Sequence, residues 1–431
     1  MKNTAIMAAA VLLAAAPLRA QDTVRVGITY QPGVRPGLVV LPAPGLDSVR
    51  TIVARDLDFS DRFEVIPLAQ PLSSDGTQRP RTPINYAFYR TLGASLALEL
   101  VPAAGSGVTA RLYDLAAERL RTELTLPMNL SGIGDTRLGV HRLSDEIVRL
   151  VTGQPGIAAT RILFLNDADK RIWRVDSDGA EQVATTPAGV TAMSPAWSPD
   201  GSKLAYMQLA RDGVKPIVVQ ATASGTRTVL PSTGTTQNIT PAFSPDGRTL
   251  LFARMSEQGT ALYAINAQTY CCLEKLTGGR FAENFSPTYS PDGRRVGFVS
   301  TRAGGQQIYV MAADGTDQEL LVPFDYGGSG NANAPDWSPD GAAIAYHRDA
   351  GGTPQIWTFD LSGRQARQWT SSGRNEDPSW APDGRHLVFV SDRTGRRQLF
   401  VVDTETARVR QVMTSGSTRL PAWSRSLGGA R

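Results

Sequence analysis

Short apolar or alternating segments recur in pairs from residue 204 onwards, each pair following a Pro-Asp-Gly turn. This pattern predicts successive antiparallel strands rather than helices. The predicted pairs are Leu204–Met207 with Ile217–Val219, Leu250–Ala253 with Leu262–Ile265, Val296–Val299 with Ile308–Met311, Ile344–Tyr346 with Ile356–Phe359, and Leu387–Val390 with Leu399–Val402. A weaker segment after each pair, such as Gln411–Thr414, is predicted as a further strand.

A motif of seven residues, Pro-x-aromatic-Ser-Pro-Asp-Gly, precedes the first strand of each pair. It occurs at 195–201, 241–247, 287–293 and 335–341, and a fifth copy at 378–384 has Ala381 in place of Ser. A sixth copy, Pro421–Ser424, stops before its turn. The spacing of 43 to 48 residues is that of a four-stranded propeller blade. The motif predicts a first strand carrying the aromatic residue, then a tight turn.

The two ends of the repeat region complement each other. Residues 161–186 supply three strands without a preceding motif, and Pro421–Ser424 supplies a first strand without successors. Joining them completes a sixth blade and leaves no free sheet edge. The predicted fold is therefore mainly β: a six-bladed β-propeller closed by a C-terminal strand.

The region before the repeats mixes helical and strand periodicities. It predicts a smaller N-terminal α/β domain, followed by a linker at 154–160 that contains Pro155 and Gly156. Predicted strands are Val24–Thr29, Leu38–Leu41, Ser95–Leu100, Val108–Tyr113 and Leu120–Leu126, and predicted helices are Asp47–Leu57, Asn85–Leu92 and Asp135–Val151.

The first 20 residues have the composition of a signal peptide, with Lys2 before an apolar stretch and Ala20 at its end. We therefore expect a signal peptide at 1–20, the α/β domain at 21–153, the linker at 154–160 and the propeller at 161–431, with export to the periplasm. The net charge of +4 is dispersed without a Lys/Arg block, which argues against nucleic acid as a partner. A monomer is expected, with no membrane contact except through partners.

The chain contains two cysteines, Cys271 and Cys272, which are neighbours. Adjacent Cα atoms lie about 3.8 Å apart, closer than in ordinary disulfides. The sequence favours a structural pair of free thiols and leaves a functional vicinal disulfide as the alternative.

Residue types that carry catalysis or hold cofactors lack the required arrangement. The aspartates of the motif are explained by the turn itself, and the three histidines, His141, His347 and His386, fall on different elements without metal-ligand spacing. Neither a dinucleotide loop, a phosphate loop nor a Gly-x-Ser-x-Gly elbow occurs. We expect no catalytic residue, metal or cofactor.

Asparagine recurs before the motif. Asn238, Asn284 and Asn375 each lie three residues before the motif proline, and Asn331 and Asn333 occupy the corresponding loop of another repeat. These loops must open on one face of a propeller, around the mouth of its channel. The asparagines either form the turns or, with neighbours such as Phe285 and Arg419, contribute to a docking surface.

The chain resembles the TolB-type β-propeller family. The resemblance rests on Pro195–Gly201 with Ser202–Tyr206, on Pro241–Gly247 and on Pro421–Ser424, together with Val24-Arg25-Val26, Gly37–Pro42, Ile52–Leu57 and Ser144–Ile147 ahead of the repeats.

What the resemblance implies is a non-enzymatic scaffold of the Tol-Pal envelope system that supports outer-membrane integrity and constriction at division. The mature amino terminus, Asp22, Thr23, Val24, Arg25 and Val26, would bind a TolA-like inner-membrane protein. The mouth of the propeller would bind a Pal-like lipoprotein. Its implied contacts, with the loop residues added, are Gln237, Asn238, Thr240, Asn284, Phe285, Ser286, Asn333, Asn375 and Arg419. Better-known members carry His, Ala, Thr and Glu at the positions of Gln237, Thr240, Phe285 and Ser286.

Two other classes of function are compatible with a propeller. One is a module of a peptidase-like or channel-metal hydrolase, although the chain ends so soon after the closing strand that no hydrolase domain is expected to follow. The other is a glycan-binding propeller, which would present exposed aromatic platforms at the channel mouth.

Overall fold

The computed structural model describes residues 35–68, 84–129, 133–210, 213–230, 232, 236–278, 282–321, 330–413 and 415–427. The predicted signal peptide, the strand predicted at Val24–Thr29 and the candidate partner-binding residues Asp22–Val26 lie outside these ranges. None of the helices in the described ranges is long and apolar enough to cross a membrane.

The amino-terminal α/β domain is a five-stranded sheet with helices packed on it. Its elements are β1 (Gly37–Val40), α1 (Asp47–Phe59), β2 (Glu64–Ile66), α2 (Tyr86–Thr91), β3 (Leu96–Pro102), β4 (Val108–Asp114), β5 (Arg119–Leu126) and α3 (Ile133–Thr152). The strand order is β2-β1-β3-β4-β5, with β1 parallel to both its neighbours. Because both faces of β1 are covered, Leu38, Val39 and Val40 are all buried, which explains its uninterrupted apolar run.

The observed helices and strands of this domain differ from the predicted ones mostly in the residues at which they begin and end. α1 begins at the predicted Asp47 but continues to Phe59, and α2 is capped by Asn85, whose side chain accepts a hydrogen bond from the Phe88 N–H at 3.0 Å. The strand β2 was not predicted, because its three residues are too short to show a period of two.

The rest of the chain forms six four-stranded sheets, which confirms the predicted propeller. From the channel outwards, the blades are β29 (Thr418–Trp423), β6 (Arg161–Asn166), β7 (Ile172–Asp176), β8 (Val183–Ala184); β9 (Thr191–Trp197), β10 (Lys203–Leu209), β11 (Ile217–Ala221), β12 (Arg227–Val229); β13 (Gln237–Phe243), β14 (Thr249–Ser256), β15 (Gly259–Asn266), β16 (Glu274–Lys275); β17 (Asn284–Tyr289), β18 (Arg295–Ser300), β19 (Gln307–Ala312), β20 (Glu319–Leu320); β21 (Ala332–Trp337), β22 (Ala343–Ala350), β23 (Thr353–Asp360), β24 (Gln365–Gln368); and β25 (Asn375–Trp380), β26 (His386–Ser391), β27 (Gln398–Asp403), β28 (Val409–Gln411). Of the fourth strand predicted at Gln411–Thr414, Gln411 lies in β28 but Val412 and Met413 do not, because pairing with β27 is centred on Arg410; Thr414 lies outside the described residues.

The closing blade is formed as the two ends of the repeat region predicted. Strand β29 pairs antiparallel with β6, with Trp423 opposite Ile162. The Trp423 side chain is buried against Val388 and Val390 of the preceding blade. Its indole N–H donates to Thr160 Oγ1 at 2.8 Å, and its backbone N–H donates to Ser379 Oγ at 3.1 Å. One side chain therefore joins the linker, the closing strand and the neighbouring blade.

The motif folds into the predicted turn and uses its polar groups there. Ser198 Oγ donates to Asp200 Oδ1 at 2.6 Å and accepts from the Lys203 N–H at 2.9 Å, while Gly201 has a φ of +69°. The same bonds recur at the turns containing Asp246, Asp292 and Asp340. Four of the motif aspartates are thus consumed by turn formation; Asp383 differs.

Candidate functional site: the channel mouth and the interface between the domains

The innermost strands of the six blades line a channel of about 480 Å³. Six of the residues that line it share a conformation: each lies immediately before a motif proline and is in the left-handed region, with φ between +49° and +56°. They are Ser194, Thr240, Ser286, Ala334, Asp377 and Leu420. Each lies where the pairing of first and second strands shifts register, so each is a β-bulge.

Two of these bulge residues, Thr240 and Ser286, are predicted contacts, and the structure brings them together. The Ser286 N–H donates to Thr240 Oγ1 at 3.1 Å, across the boundary between neighbouring blades. Gln237 and Phe285 lie half-buried on the same two strands. Phe285 also packs against two blade cores and is therefore only partly exposed.

The three recurrent asparagines lie beneath this surface rather than on it. Asn238, Asn284 and Asn375 are each exposed by at most 1%. The Asn284 amide donates to the Thr260 carbonyl at 3.1 Å, and its oxygen accepts from Arg302 Nη2 at 3.0 Å. The structure thus shows these three side chains buried and hydrogen-bonded, and their contact with a partner stays a prediction.

Each of the three asparagines accepts a hydrogen bond from an arginine that lies on the second strand of its blade or just after it. Arg302 stacks over the rings of Phe298 and Tyr309, with its guanidinium carbon 4.8 Å from the centre of the latter. Arg393 binds Asn375 at 2.8 Å and Arg254 binds Asn238 at 2.9 Å, each likewise stacked on two aromatic rings. In each of these three blades the asparagine binds an arginine guanidinium, which stacks on two aromatic rings. This repeated arrangement explains why asparagine recurs at the same position.

Asn333 and Arg419 occupy different environments. Asn333 is half-buried, and its amide group donates to Gln306 Oε1. Arg419 is exposed on β29 and its Nε lies 3.1 Å from Asp167 Oδ2, which leaves the outer edge of its guanidinium facing solvent. It is the cationic side chain of the predicted set.

Two carboxylates in the channel wall were missed by the sequence reasoning. Asp336 stands where other repeats carry a small residue after the motif proline, and it accepts from the Trp380 N–H at 2.7 Å. Its enclosure raises its pKa to about 6. Burial also raises the pKa of Asp377, whose backbone N–H donates to His347 Nδ1 at 3.1 Å. The departure from the repeat at Asp336 was the available signal.

The opposite face of the ring carries the amino-terminal domain, and histidine 386 lies at this interface. His386 Nδ1 lies 2.7 Å from Asp383 Oδ2, and His386 Nε2 lies 3.2 Å from Asp61 Oδ2 of the segment after α1. Burial disfavours the charged ring, but the two carboxylates outweigh it and raise the pKa of His386. The imidazolium thus bridges the two domains.

A second buried histidine lies in a similar cluster. His141 Nδ1 lies 2.8 Å from Asp56 Oδ2, and its Nε2 lies 3.6 Å from Asp176 Oδ2 of the propeller. Burial opposes its charge, but Asp176 and Asp56 together raise its pKa to about 10. The sequence analysis placed the three histidines on different elements, and it did not reveal that His141 and His386 join the domains.

Each cluster gathers a histidine and two aspartates whose ligand atoms lie within 4.8 Å: Asp56, His141, Asp178 and Asp61, His386, Asp403. An arginine already holds one carboxylate of each cluster, Asp178 in the first and Asp403 in the second. Arg137 pairs with Asp176 and Asp178, and Arg385 binds both oxygens of Asp403 at 2.6 Å. A metal ion would have to displace a guanidinium, so these clusters are ion-pair networks.

The comparisons with known proteins agree with this architecture. A family model described as the TolB beta propeller domain matches residues 148–427, more than half of the chain. The chain belongs to the TolB β-propeller family. Its relatives carry the name of a Tol-Pal system component rather than that of an enzyme.

Two curated relatives show the extent of the likeness. Tol-Pal system protein TolB of Methylococcus capsulatus is 31% identical over 192 residues, 42% of this chain and 43% of the relative. The protein of the same name from Mannheimia succiniciproducens is 31% identical over 239 residues, 52% of this chain and 54% of the relative. The aligned segments therefore span about half of these relatives.

The structural match is longer. The crystal structure of TolB from Acinetobacter baumannii superposes with a TM-score of 0.76 and 25% identity, covering 91% of this chain and 98% of that one. The TolB likeness therefore includes the amino-terminal α/β domain as well as the propeller.

Proposed function

We propose that this protein is a non-enzymatic scaffold of the Tol-Pal envelope system, exported to the periplasm by a signal peptide. In this role it binds a Pal-like lipoprotein at the channel mouth and a TolA-like inner-membrane protein through Asp22–Val26, and it supports envelope integrity and constriction at division. The observation that carries the proposal is the two-domain match to a solved TolB over almost its full length.

The channel mouth has properties suited to protein docking. Bulges from all six blades surround one opening, and in three blades a buried asparagine–arginine bond fixes the start of the innermost strand. A preorganised surface loses less conformational entropy on binding. Phe285 and Arg419, one aromatic and one cationic side chain, are the types that dominate binding energy at such surfaces.

A glycan-binding role lacks the support that it would need. Of the motif tryptophans in the channel wall, Trp337, Trp380 and Trp423 are each exposed by no more than 7%. Trp197 is half-buried, and its indole N–H donates to the Ala422 carbonyl at 3.1 Å. None of the four is an exposed stacking platform.

The Pal-like partner is tested by titrating its soluble domain into the mature protein and measuring heat release. We expect Arg419→Ala and Phe285→Ala each to weaken binding by at least about 1 kcal/mol, whereas the Asn238→Ala and Asn284→Ala changes act through loop order. Arg248→Ala is the matched control for Arg419→Ala, because Arg248 is an exposed arginine on the opposite face. Loss of binding in the control with retention in the Arg419 variant would place the partner on the wrong face.

The TolA-like partner is tested separately by deleting residues 21–26. Main-chain pairing by strand addition would make removal more damaging than side-chain changes. We expect loss of TolA capture with an unchanged melting temperature. Unaltered capture by the deletion variant would refute this part of the proposal.

A further inference from the structure

The two adjacent cysteines lie in the connection between β15 and β16 of the third blade. Asn266 organises this turn: its side-chain oxygen accepts from the backbone N–H groups of Gln268 and Thr269, both at 2.9 Å. The Asn266 N–H donates to the Cys271 carbonyl at 3.1 Å. Tyr270 and Cys272 both have positive φ values, +56° and +64°. The backbone of the turn, rather than packing of the thiols, therefore fixes the two side chains.

This turn holds the sulfurs almost at bonding distance. The Sγ atoms of Cys271 and Cys272 are 2.6 Å apart, about 0.5 Å longer than a disulfide bond. Both side chains are exposed, so an oxidant can reach them without unfolding. The two thiols are thus free, as the sequence favours, but both are exposed and neither is part of a buried core.

The local contacts distinguish the two thiols. Thr269 Oγ1 lies 3.2 Å from Cys271 Sγ. Hydrogen bonds from Cys272 and Thr269 lower the pKa of the Cys271 thiol, whereas the proximity of Cys271 raises that of Cys272. Since the thiolate is the nucleophile, Cys271 is the attacking thiol and Cys272 the resolving one.

We propose that Cys271 and Cys272 are a redox-active dithiol that closes reversibly to a vicinal disulfide by exchange with a disulfide-containing oxidant. The site lies at the end of β15, on the face of the ring opposite the channel mouth. It does not depend on the proposed Tol-Pal role.

The exchange proceeds in two steps. The Cys271 thiolate attacks one sulfur of the oxidant, forming a mixed disulfide and releasing the first thiolate, which takes up a proton. The Cys272 thiolate then attacks Cys271 Sγ, breaks the mixed disulfide and releases the second thiol. Two electrons and two protons pass to the oxidant. Because adjacent Cα atoms are closer than in ordinary disulfides, the product is strained and readily reduced again.

Intact-mass spectrometry tests the proposal directly, because these are the two cysteines of the whole chain. The mature protein is equilibrated in buffers of increasing oxidised-to-reduced glutathione ratio and quenched with N-ethylmaleimide. We expect two maleimide additions under reducing conditions. Under oxidising conditions we expect none, with a mass lower by two hydrogens, and reduced glutathione restores the first state.

Single substitutions test the order of attack. Cys272→Ser should accumulate a glutathione adduct on Cys271, since no resolving thiol remains, and Cys271→Ser should form its adduct more slowly. The double variant Cys271→Ser/Cys272→Ser is the control and should gain neither label. Two maleimide additions at every ratio, a stable glutathione adduct on the unsubstituted protein, or disulfide-linked dimers in place of the closed monomer would each overturn the proposal.

Discussion

His386 Nε2 of the propeller lies 3.2 Å from Asp61 Oδ2 of the amino-terminal domain, with both side chains fully buried. The contact lies beside the one full motif copy that departs from the consensus. Ala381 replaces the serine that elsewhere donates to Oδ1 of the turn aspartate, and here Oδ2 of Asp383 lies 2.7 Å from His386 Nδ1. A single substitution within the repeat thus coincides with the attachment of the second domain.

Removing one member of this pair should destabilise the protein strongly. His386→Gln leaves the buried Asp383 carboxylate without its charged partner, and we expect it to lower the free energy of unfolding by about 3–5 kcal/mol. Asp61→Asn should cost less, about 1–3 kcal/mol, because His386 keeps Asp383 and the change weakens a single further bond, to Arg408. The double variant should cost less than the sum, with a coupling of at least about 0.5 kcal/mol. Urea denaturation of the four proteins measures both quantities.

His347→Gln is the control for these changes. His347 is half-buried at the channel mouth, on the face of the propeller opposite the amino-terminal domain. A loss as large as that of His386→Gln, or additive effects of the two interface substitutions, would contradict the bridging role.

The second prediction concerns pH. The pKa of His141 is raised in the folded protein to about 10 from 6.5, so its stabilising contribution is complete below pH 6.5 and is lost as pH rises through 10. The groups that face the ring are Asp56, Asp176 and Asp178, with Arg137 paired to the last two. We expect the free energy of unfolding to decline over this window.

His141→Gln should flatten that decline. Asp145 provides the contrast. Burial raises its pKa from 3.8 to about 7, so its contribution to the free energy of unfolding changes between pH 3.8 and 7. Denaturation curves for the unsubstituted protein, His141→Gln and Asp145→Asn between pH 4 and 10 separate the two groups. An identical slope above pH 7 with and without His141 would exclude the predicted linkage.

The third prediction concerns the buried asparagines. The Asn375 amide donates to the Gln355 side chain and to two loop carbonyls, and its oxygen accepts from Arg393. Asn375→Ala leaves these groups unpaired, and we expect a loss of about 1–3 kcal/mol in calorimetric or denaturant unfolding. Asn333→Ala, at a half-buried position on β21 of the neighbouring blade, should cost clearly less. Equal losses would show that the burial of Asn375 does not account for its contribution to stability.

The fourth prediction concerns ring closure. Trp423→Ala should cost about 3–5 kcal/mol, because it opens a cavity between blades and removes the hydrogen bond to Thr160. Deleting residues 419–431 should destabilise the entire ring by exposing the edge of β6. Trp423→Phe restores most of the packing without the indole N–H, so it should recover most of the loss. A truncated protein that melts at the original temperature would refute the closure scheme.

The propeller was predictable because its signals are local and repeated. Each turn places Pro, Asp and Gly at fixed positions, and each predicted strand pair follows at a fixed distance, so errors in one copy are corrected by the others. The short fourth strands were less predictable: β28 contains three residues, and its position is set by pairing with β27 rather than by its own periodicity.

The site was only partly predictable, because burial depends on tertiary contacts. Asn284 and Phe285 are adjacent in sequence. Asn284 is nonetheless buried and bonded to the Arg302 guanidinium, whereas Phe285 is partly exposed at the channel mouth. Likewise, His386 and Asp61 are 325 residues apart, and no pattern in either segment marks their contact. Departures from the repeat, at Ala381 and Asp336, were the sequence features closest to these contacts.

The pairing of β29 with β6 also sets the timing of folding. Arg161 and Ser424 are hydrogen-bonded although 263 residues separate them. At ordinary rates of synthesis, about 5–20 residues per second, β6 is made roughly 10 to 50 s before its inner neighbour. During that interval Ile162, Leu163 and Phe164, all buried in the finished ring, belong to a strand with one open edge. The sixth blade is therefore the last to be completed and, until then, the one most in need of protection from other chains.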